Sequence, residues 1–358
     1  MIRSRWLYIL FTTLFFISGS FGSAFWSGNV CEASDNIVLK MNHQFPENTA
    51  GSKIDKWFAE QIKKETNGRI SIRIFWSNGL GKPRDNLSLL ARGAIDMAGM
   101  SAGYFPDEMP LLAAPNSIPM AMDDVCQASL IMKAFLERIP DIHKEAADLG
   151  IRPIFFHVLN PYLLVSKRPV TQLSDLQGMR IRTWGNEMAE LVRSVGGKPV
   201  PLFLPDLNDA FKHDIIDGCP FSVDLTLSYN IHKLARHITE VTLWEGPSWG
   251  VWIGTETWNR LSVDEQTIFI ETAEKARKKD ISMARKSGHE ARQVLIDKGI
   301  EFHPFPESQT IEWKQKSPDY FSRFIDQMER QGKGRAAKQM VDIWQKIRKH
   351  NRCTENGE

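Results

Sequence analysis

The chain has 358 residues, of which 42% are hydrophobic and 25% are charged, a balance typical of a globular protein with more than one core. Its 45 basic and 43 acidic residues leave a net charge of +2 at pH 7, so no strong positive field is present to attract a polyanion. These values exclude a disordered or fibrous chain and argue against nucleic acid as a partner.

The N-terminus has the pattern of a secretory signal peptide. Arg3 and Arg5 precede an apolar run, Trp6–Phe21, and small residues follow it up to a candidate cleavage site near Ala33. The run is shorter than the ~20 residues of a membrane span. We therefore predict a cleaved signal peptide at residues 1–33 and export to the periplasm, with a retained anchor helix as the alternative.

The residues after this leader alternate between strand and helix patterns. Apolar residues at helical spacing predict a helix around Ile54–Ile62, and the alternation in Ile70–Phe75 predicts a strand. Further strands are predicted at Ile37–Met41 and Met97–Met100, with a helix around Leu87–Ala91 between them. This order favours a mostly parallel sheet covered by helices.

The same pattern returns in the middle of the chain. Strands are predicted at Met179–Arg182, at Lys198–Pro201 and around Gly218–Phe221, and helices at Met188–Val195 and Leu207–Phe211. A second β-α-β region of this kind indicates a second lobe of α/β type.

The last hundred residues have helical patterns, and Ser262 and Glu265 form a candidate capping box at the start of a long helix. No linker rich in proline, glycine or serine separates the two α/β regions, so we expect strands and helices to cross between them. We predict an α/β protein with an N-terminal lobe at 34–158, to which later segments return, and a C-terminal lobe at 159–255. A helical region at 256–358 is predicted to bridge and pack on both lobes.

Motifs for catalysis and metal binding are weak. Gly99–Gly103 matches the G-x-S-x-G nucleophile elbow, but a loop with a proline follows it where the elbow needs a helix. The nine histidines form no HExxH motif, and no glycine-rich phosphate loop is present. We predict no enzyme, no cofactor and no metal, with an exported serine hydrolase that uses Ser101 as the alternative. Cys126 and Cys219 are predicted to be small buried apolar residues.

Arg180 and Arg182 point to one face of their predicted strand, so this face is either solvated or directed at a polar site. A guanidinium at the carboxyl end of a strand offers two parallel N–H donors to a carboxylate. Open α/β sheets bind ligands outside those strand ends. A pair of ordinary surface arginines is the alternative interpretation.

The segment Ser174–Arg182 resembles the D-L-K-G-x-K-[IL]-R segment of the solute-binding proteins of tripartite ATP-independent periplasmic (TRAP) transporters, the DctP-type family. Shorter segments in the family's order extend the resemblance over about residues 37–320: Phe58–Glu60, Thr66–Ile70, Leu80–Gly81, Gly93–Met97 and Ile216–Gly218. The resemblance implies a two-lobed periplasmic binding protein fold, type II-like, with strands crossing at a hinge and long C-terminal helices. It also implies a non-catalytic protein that captures a small organic carboxylate between its lobes and delivers it to membrane permease subunits.

The resemblance also implies where the ligand binds. Arg182 matches the family's carboxylate-binding arginine, and Gln44 lies at the end of the first strand, where the family lines its cleft. Ser101 stands where sialate-binding members have an acidic residue. A binding protein that serves a sensor or an ATP-driven importer is the alternative to the TRAP assignment.

Aromatic residues stand at the remaining matched positions. Tyr162 replaces the second arginine of many members, Phe221 replaces a common asparagine, and Trp249 lies on a strand that lines the cleft. Trp184 follows Arg182 closely. These departures argue against sialic acid, weaken a dicarboxylate assignment, and favour an apolar or aromatic body beside the carboxylate, with core packing as the alternative role for each ring.

Overall fold

The computed structural model describes residues 36–122 and 124–350. The predicted signal peptide at residues 1–33 lies outside the described residues. In the described part of the chain, no helix combines the length and the apolar composition that crossing a bilayer requires. Two mixed β-sheets covered by helices form the described part, so the predicted α/β class is confirmed.

The first sheet contains five strands: β1 (Ile37–His43), β2 (Ile70–Phe75), β3 (Met97–Met100), β4 (Ile151–Val158) and β10 (Pro247–Gly254). Their order across the sheet is β2-β1-β3-β10-β4. The strand β1 is parallel to β2 and β3, and β10 is antiparallel to β3 and β4. Five helices belong to this first lobe: α1 (Ala50–Glu65), α2 (Asn86–Ala91), α3 (Pro110–Ser117), α4 (Val125–Arg138) and α5 (Pro140–Asp148).

The second sheet contains six strands: β5 (Tyr162–Ser166), β6 (Arg180–Thr183), β7 (Lys198–Pro201), β8 (Gly218–Phe221), β9 (His237–Trp244) and β11 (Glu301–Pro304). Their order is β11-β9-β5-β8-β6-β7. The second lobe consists of this sheet and three helices: α6 (Gly185–Arg193), α7 (Leu207–Lys212) and α8 (Val223–Ser228). Here β6 is parallel to β7 and β8, whereas β5 is antiparallel to β8 and β9.

The chain passes from one sheet to the other between β4 and β5, and returns between β9 and β10. The strands on either side of these passages pair in antiparallel fashion, β4 with β10 and β5 with β9. The sheets are therefore mixed rather than mostly parallel. The predicted parallel arrangement is confirmed for β1, β2 and β3, for β6, β7 and β8, and for the pair β9 and β11.

Helices α9 (Thr255–Arg260) and α10 (Val263–Asp297) follow the second passage. The predicted capping box is confirmed, because Glu265 N donates to Ser262 Oγ and Ser262 N donates to the Glu265 carboxylate at 2.8 Å. Helix α10 packs on α1 and β4 of the first lobe and on α8 of the second. It therefore lies along the junction of the two lobes.

The chain ends in α11 (Glu307–Lys316), α12 (Tyr320–Arg330) and α13 (Gly334–His350). Trp313 Nε1 in α11 donates to the Leu191 carbonyl of α6 at 2.9 Å, which fixes this end of the tail to the second lobe. Trp344 Nε1 in α13 donates to the Ala121 carbonyl at 3.1 Å, which fixes the other end to the first lobe. The tail therefore contacts both lobes.

Cys126 and Cys219 are both fully buried, as predicted. Cys219 is a free thiol, and burial raises its pKa to about 12, which makes it an unreactive packing residue. Cys126 is disulfide-bonded. The interpretation of Cys126 as a simple apolar residue is therefore wrong.

Candidate functional site

Arg182 lies near the carboxyl end of β6 and is only 4% exposed. Its Nε donates to the Leu202 carbonyl at 3.2 Å, and its guanidinium carbon lies 5.2 Å from the centre of the Trp184 ring. In the described part of the chain, neither terminal nitrogen has a hydrogen-bond acceptor and no carboxylate pairs with this side chain. A buried guanidinium without an anion is costly, so the position favours binding of an external one.

Arg180 lies two residues earlier on the same face of β6 and has a different environment. Its Nε and Nη2 donate to the Asp217 carboxylate at 3.0 and 2.6 Å. Hydrogen bonding to Arg180 lowers the pKa of Asp217, although partial burial opposes this. The charge of Arg180 is therefore matched within the protein, and Arg182 is the arginine of this pair that is left for a ligand.

Gln44 and Ser101 face Arg182 from the first lobe. They directly follow β1 and β3, whose carboxyl ends meet at one edge of the sheet because the two strands are parallel. Ser101 N donates to Gln44 Oε1 at 3.0 Å, which orients the amide. Gln44 Nε2 has no hydrogen-bond acceptor among the described residues, so it remains available as a donor.

The geometry at Ser101 does not support a nucleophile. Its backbone is extended, with φ −89° and ψ 127°, whereas a nucleophile elbow holds its serine on a sharp, strained turn. The Ser101 Oγ accepts from Gly103 N at 3.2 Å and is paired with no histidine among the described residues. The site therefore lacks the serine–histidine contact that a hydrolase of this type needs.

One cavity between the two lobes collects most of the predicted residues, namely Gln44, Ser101, Tyr162, Arg182 and Trp184. Six further residues line it that were not predicted: Phe45, Gly103, Tyr104, Asn116, Leu204 and Trp244. About 40 Å³ is accessible to the centre of a water molecule, so the walls lie close together. Arg182 is the single charged residue in this lining.

Three aromatic rings form the second lobe's wall of the cavity. The centre of the Tyr162 ring lies 5.0 Å from that of Trp244 and 5.8 Å from that of Trp184, in edge-to-face arrangements. The indole nitrogens of both tryptophans donate to the first lobe, Trp184 to the Asn116 carbonyl at 2.9 Å and Trp244 to the Pro115 carbonyl at 3.1 Å. The same rings therefore line the cavity and connect the lobes.

The two phenols of the cavity are neutral. Burial raises the pKa of Tyr162 well above its usual value, and the positive charge of Arg182 offsets only part of this effect. Burial likewise raises the pKa of Tyr104, against the same opposing charge. Both hydroxyls therefore keep their protons and are able to donate hydrogen bonds to a bound anion.

Phe221 and Trp249, the two other residues predicted to contact the ligand, lie outside the lining of this cavity. The ring of Phe221 is completely buried with its centre 5.7 Å from that of Tyr162, which separates it from the cavity. Trp249 lies behind Phe45 at 5.0 Å and stacks on His157 at 3.8 Å. Both residues support rings that line the cavity, because the strand positions that carry them face the packed interior.

A buried network of four ionisable residues surrounds Trp249. Asp55 of α1 accepts from His43 Nε2 at 2.7 Å and from His157 Nε2 at 2.9 Å, and His157 Nδ1 lies 2.8 Å from Asp280 of α10. Burial acts to lower the pKa of His157, but the charges of Asp280 and Asp55 raise it to about 10. His157 is therefore a buried cation held between two carboxylates.

Gly51 in α1 makes the close packing around this network possible. A Cβ at this position would lie 2.7 Å from the Trp249 ring and 3.2 Å from His157 Nδ1. Because real Cβ atoms do not approach so closely, a larger residue would displace the stacked rings. The network fixes the end of β1 from which Gln44 and Phe45 extend into the cavity.

A second contact between the lobes lies at the mouth of the cavity. The Arg84 guanidinium of the first lobe lies 4.7 Å from the centre of the Phe203 ring of the second lobe, and the Tyr104 ring meets the same ring at 5.0 Å. A wider groove begins here and shares Gly103, Tyr104 and Trp184 with the cavity. The groove therefore adjoins the cavity that Arg182 lines.

Some of the lining residues that were not predicted lie at or near the ends of strands, so their positions could have been inferred from the sequence. Trp244 ends β9 and precedes a glycine and a proline, a combination that marks the end of a strand. Phe45 directly follows Gln44, and Tyr104 lies three residues after Ser101. Asn116 and Leu204 come from helical turns and carry no comparable signal.

Comparison with known proteins places this geometry in context. The model of the bacterial extracellular solute-binding protein family 7, DctP, matches residues 41–327. A solute-binding protein of Roseobacter denitrificans is 27% identical over 275 residues, which are 75% of this chain and 82% of that protein.

Solved structures with the same fold include a TRAP periplasmic solute-binding protein of Desulfovibrio salexigens with bound orotic acid. It is 16% identical with a TM-score of 0.78, and the match covers 87% of this chain and 99% of that one. Another is an extracytoplasmic solute receptor of Bordetella pertussis, DctP7, binding pyroglutamic acid. It is 18% identical with a TM-score of 0.77, and the match covers 86% and 99% of the two chains.

Proposed function

The chain belongs to the DctP family of bacterial extracellular solute-binding proteins, family 7, and on this basis we propose that it is the extracytoplasmic receptor of a TRAP transporter for a small organic monocarboxylate. The observation that carries the proposal is the buried guanidinium of Arg182, which faces a cavity between the lobes and has no carboxylate partner among the described residues.

The positive charge of Arg182 favours an acid as the ligand. Burial of an ion is costly unless a counter-ion and hydrogen bonds compensate it. A ligand carboxylate provides both, because its two oxygens match the parallel N–H donors of a guanidinium. When the lobes close over this pair, water leaves and the attraction strengthens.

The rest of the lining indicates the kind of acid. Arg182 supplies one positive charge, so it suits one carboxylate rather than two. The hydroxyl of Tyr162 and the amide of Gln44 add donors, and Tyr162, Trp184 and Trp244 present ring surfaces to an apolar or planar body. Orotic acid and pyroglutamic acid, the ligands of two proteins with this fold, are small ring-shaped acids of this type.

Export and delivery complete the proposal. The signal-peptide pattern at residues 1–33 directs the chain to the periplasm, where it would meet the membrane subunits of the transporter. The closed, ligand-bound form docks on these subunits and releases the acid. The protein itself is a carrier and catalyses no step.

The test begins with identification of the ligand. A thermal-shift screen of monocarboxylates, aromatic acids, 2-oxo acids and dicarboxylates finds compounds that raise the melting temperature, since a ligand that binds only the native state stabilises it. Calorimetry then compares wild type with Arg182→Ala. A charge-assisted hydrogen bond contributes ~1.5–3 kcal/mol, so we expect at least about tenfold weaker binding in Arg182→Ala.

Arg180→Ala is the matched control, because Arg180 lies on the same strand and pairs with Asp217 outside the cavity. It should bind the ligand like wild type. Arg182→Lys keeps the charge without the paired donors and should bind more weakly than wild type. Equal affinity of Arg182→Ala and wild type would overturn the proposal.

A further inference from the structure

A group of possible metal ligands lies at the edge of the second sheet, away from the cavity. His237 belongs to β9, and Glu301 and His303 belong to the neighbouring edge strand β11. The strands are parallel, with Glu301 paired opposite His237 and His303 opposite Thr239. Because alternate residues of a strand face the same side, all three side chains share one face of the sheet.

The distances between the donor atoms fit a metal ion. His237 Nδ1 lies 3.0 Å from His303 Nε2, and the Glu301 Oε2 atom lies 3.6 Å from the former and 3.8 Å from the latter. A point about 2.0 Å from all three atoms therefore exists, and this is the usual length of zinc bonds to histidine nitrogen and carboxylate oxygen.

The surroundings leave these donors available. In the described part of the chain, the two rings have no hydrogen-bond partner other than each other. The histidine side chains are 16% exposed and Glu301 is 65% exposed, so an ion has access from solvent. The nearby cation Arg236 donates to the carbonyls of Lys298 and Gly299 instead of pairing with Glu301.

We propose that His237, Glu301 and His303 form a binding site for a divalent transition metal of the zinc type, with water in the fourth position. Two imidazoles and one carboxylate are a donor set that zinc accepts, whereas Mg²⁺ and Ca²⁺ prefer oxygen ligands alone. Binding requires both facing nitrogens to be unprotonated, so the proton that they share moves to the far ring nitrogen or to solvent.

The ion would join the edge strand to the sheet. Its ligands come from β9 and from β11, the strand that directly follows the end of the long helix α10. Binding to the native state alone should therefore raise the melting temperature of the chain. The site shares no residue with the cavity around Arg182, so zinc binding is expected to be independent of the organic acid.

The test uses the untagged full chain, stripped with EDTA and titrated with ZnCl₂ by calorimetry. We expect one equivalent of Zn²⁺ to bind wild type, with affinity at least about tenfold lower in His237→Ala and His303→Ala. His213→Ala is the matched control, because His213 is exposed and lies outside the cluster. It should bind like wild type.

Two further measurements exclude a folding artefact and confirm the ligands. Glu301→Gln alters a largely exposed side chain and should leave the metal-free melting temperature unchanged while weakening Zn²⁺ binding. Co²⁺ should give the visible absorption of a four-coordinate site in wild type and lose it in Glu301→Gln. Absence of Zn²⁺ binding, or equal affinity in wild type and His303→Ala, would overturn the site. Retention of Zn²⁺ binding in Arg182→Ala separates this result from the proposed function.

Discussion

The hydroxyl of Tyr162 lines the cavity and has no hydrogen-bond partner in the described part of the chain. Burial raises the pKa of Tyr162, so the hydroxyl is neutral and has an unused hydrogen to donate. In the proposed complex, a ligand carboxylate beside Arg182 would provide an acceptor for it. The same residue thus supplies an apolar ring and one directed polar group.

We predict that Tyr162→Phe weakens binding of the ligand about tenfold without lowering the melting temperature. The substitution removes a hydrogen bond to a charged group, about 1.5–3 kcal/mol, but breaks no contact within the described protein. Calorimetry of the variant gives the affinity. Tyr229→Phe is the control, because Tyr229 packs on Phe221 outside the lining and should leave the affinity unchanged.

The buried charge of His157 predicts a dependence of stability on pH. Its pKa in the folded protein is about 10, against 6.5 for an ordinary histidine. A group whose pKa is raised by folding stabilises the protein fully below its unfolded pKa, and the stabilisation is lost as pH rises through the folded value. The free energy of unfolding should therefore fall between about pH 7 and pH 10.

His157→Gln should remove this part of the pH dependence and lower stability at pH 7 by about 3–5 kcal/mol, since it leaves buried carboxylates without their cation. Urea denaturation of both proteins from pH 6 to pH 10 provides the comparison. Parallel curves for wild type and variant would show that His157 is not the titrating group.

Some residues of the site were predictable from the sequence, and others were not. Arg182 follows from the rule that side chains at the carboxyl ends of strands bind ligands, together with the family resemblance, whereas Gln44 and Ser101 were placed by the resemblance. Phe221 and Trp249 lie outside the lining of this cavity, and residue type does not reveal whether a ring lines a cavity or lies behind it. His237 and His303 are 66 residues apart, so their proximity follows only from the pairing of β9 with β11.

The contacts that connect the two lobes are made by few side chains of short elements. Trp184 directly precedes α6 in the second lobe, and its indole donates to the Asn116 carbonyl next to the end of α3 in the first. The contact can form only when the lobes are close together. Its energy therefore favours the closed conformation selectively.

We predict that Trp184→Phe weakens ligand binding about two- to tenfold, because one hydrogen bond of the closed form, about 0.5–1.5 kcal/mol, is lost. Calorimetry measures this change. Trp313→Phe removes an indole hydrogen bond to Leu191 between α11 and α6, away from the lining of the cavity, and is the matched control. It should lower the melting temperature but leave the affinity as in wild type; a loss of affinity in both variants would argue against a specific role for Trp184.

The elements that were predicted correctly are those in which apolar residues recur at regular spacing. Strands β2, β3, β7 and β8 have the predicted bounds, and β1 and β6 differ from them by one or two residues at their ends. Strands β4, β5, β9 and β10 were not predicted. They are largely buried on both faces, β4 contains Pro153, and β10 contains two glycines, so neither alternation nor composition distinguishes them from other apolar segments.

The two-lobed architecture was predictable from the family resemblance rather than from residue patterns alone. The DctP match over residues 41–327 confirms the resemblance drawn from Ser174–Arg182 and its companion segments. The α/β class is confirmed by the two sheets. The passages between the lobes depend on contacts distant in sequence, which local patterns do not specify.

The small volume of the cavity predicts a change of shape on binding. A small organic acid does not fit beside Arg182 unless the lobes separate, because about 40 Å³ is accessible to the centre of a water molecule. We therefore expect small-angle X-ray scattering to give a radius of gyration near the ~20 Å of a compact chain with ligand, and a larger value without it. Identical scattering curves with and without ligand would contradict the closure mechanism.

The C-terminal tail has a mechanical consequence for this motion. Arg323 of α12 is paired with Glu190 of the second lobe, whereas Phe321 of α12 packs on Trp344 of α13, which is fixed to the first lobe. The segment Gln331–Lys333 that joins the two helices spans at most ~10 Å and is too short to absorb a wide separation. The short segment between α12 and α13 thus limits how far the two lobes can separate while both contacts of the tail stay intact. We therefore expect an opening of the lobes to separate α12 from either Glu190 or Trp344, which would change the exposed surface of the last two helices.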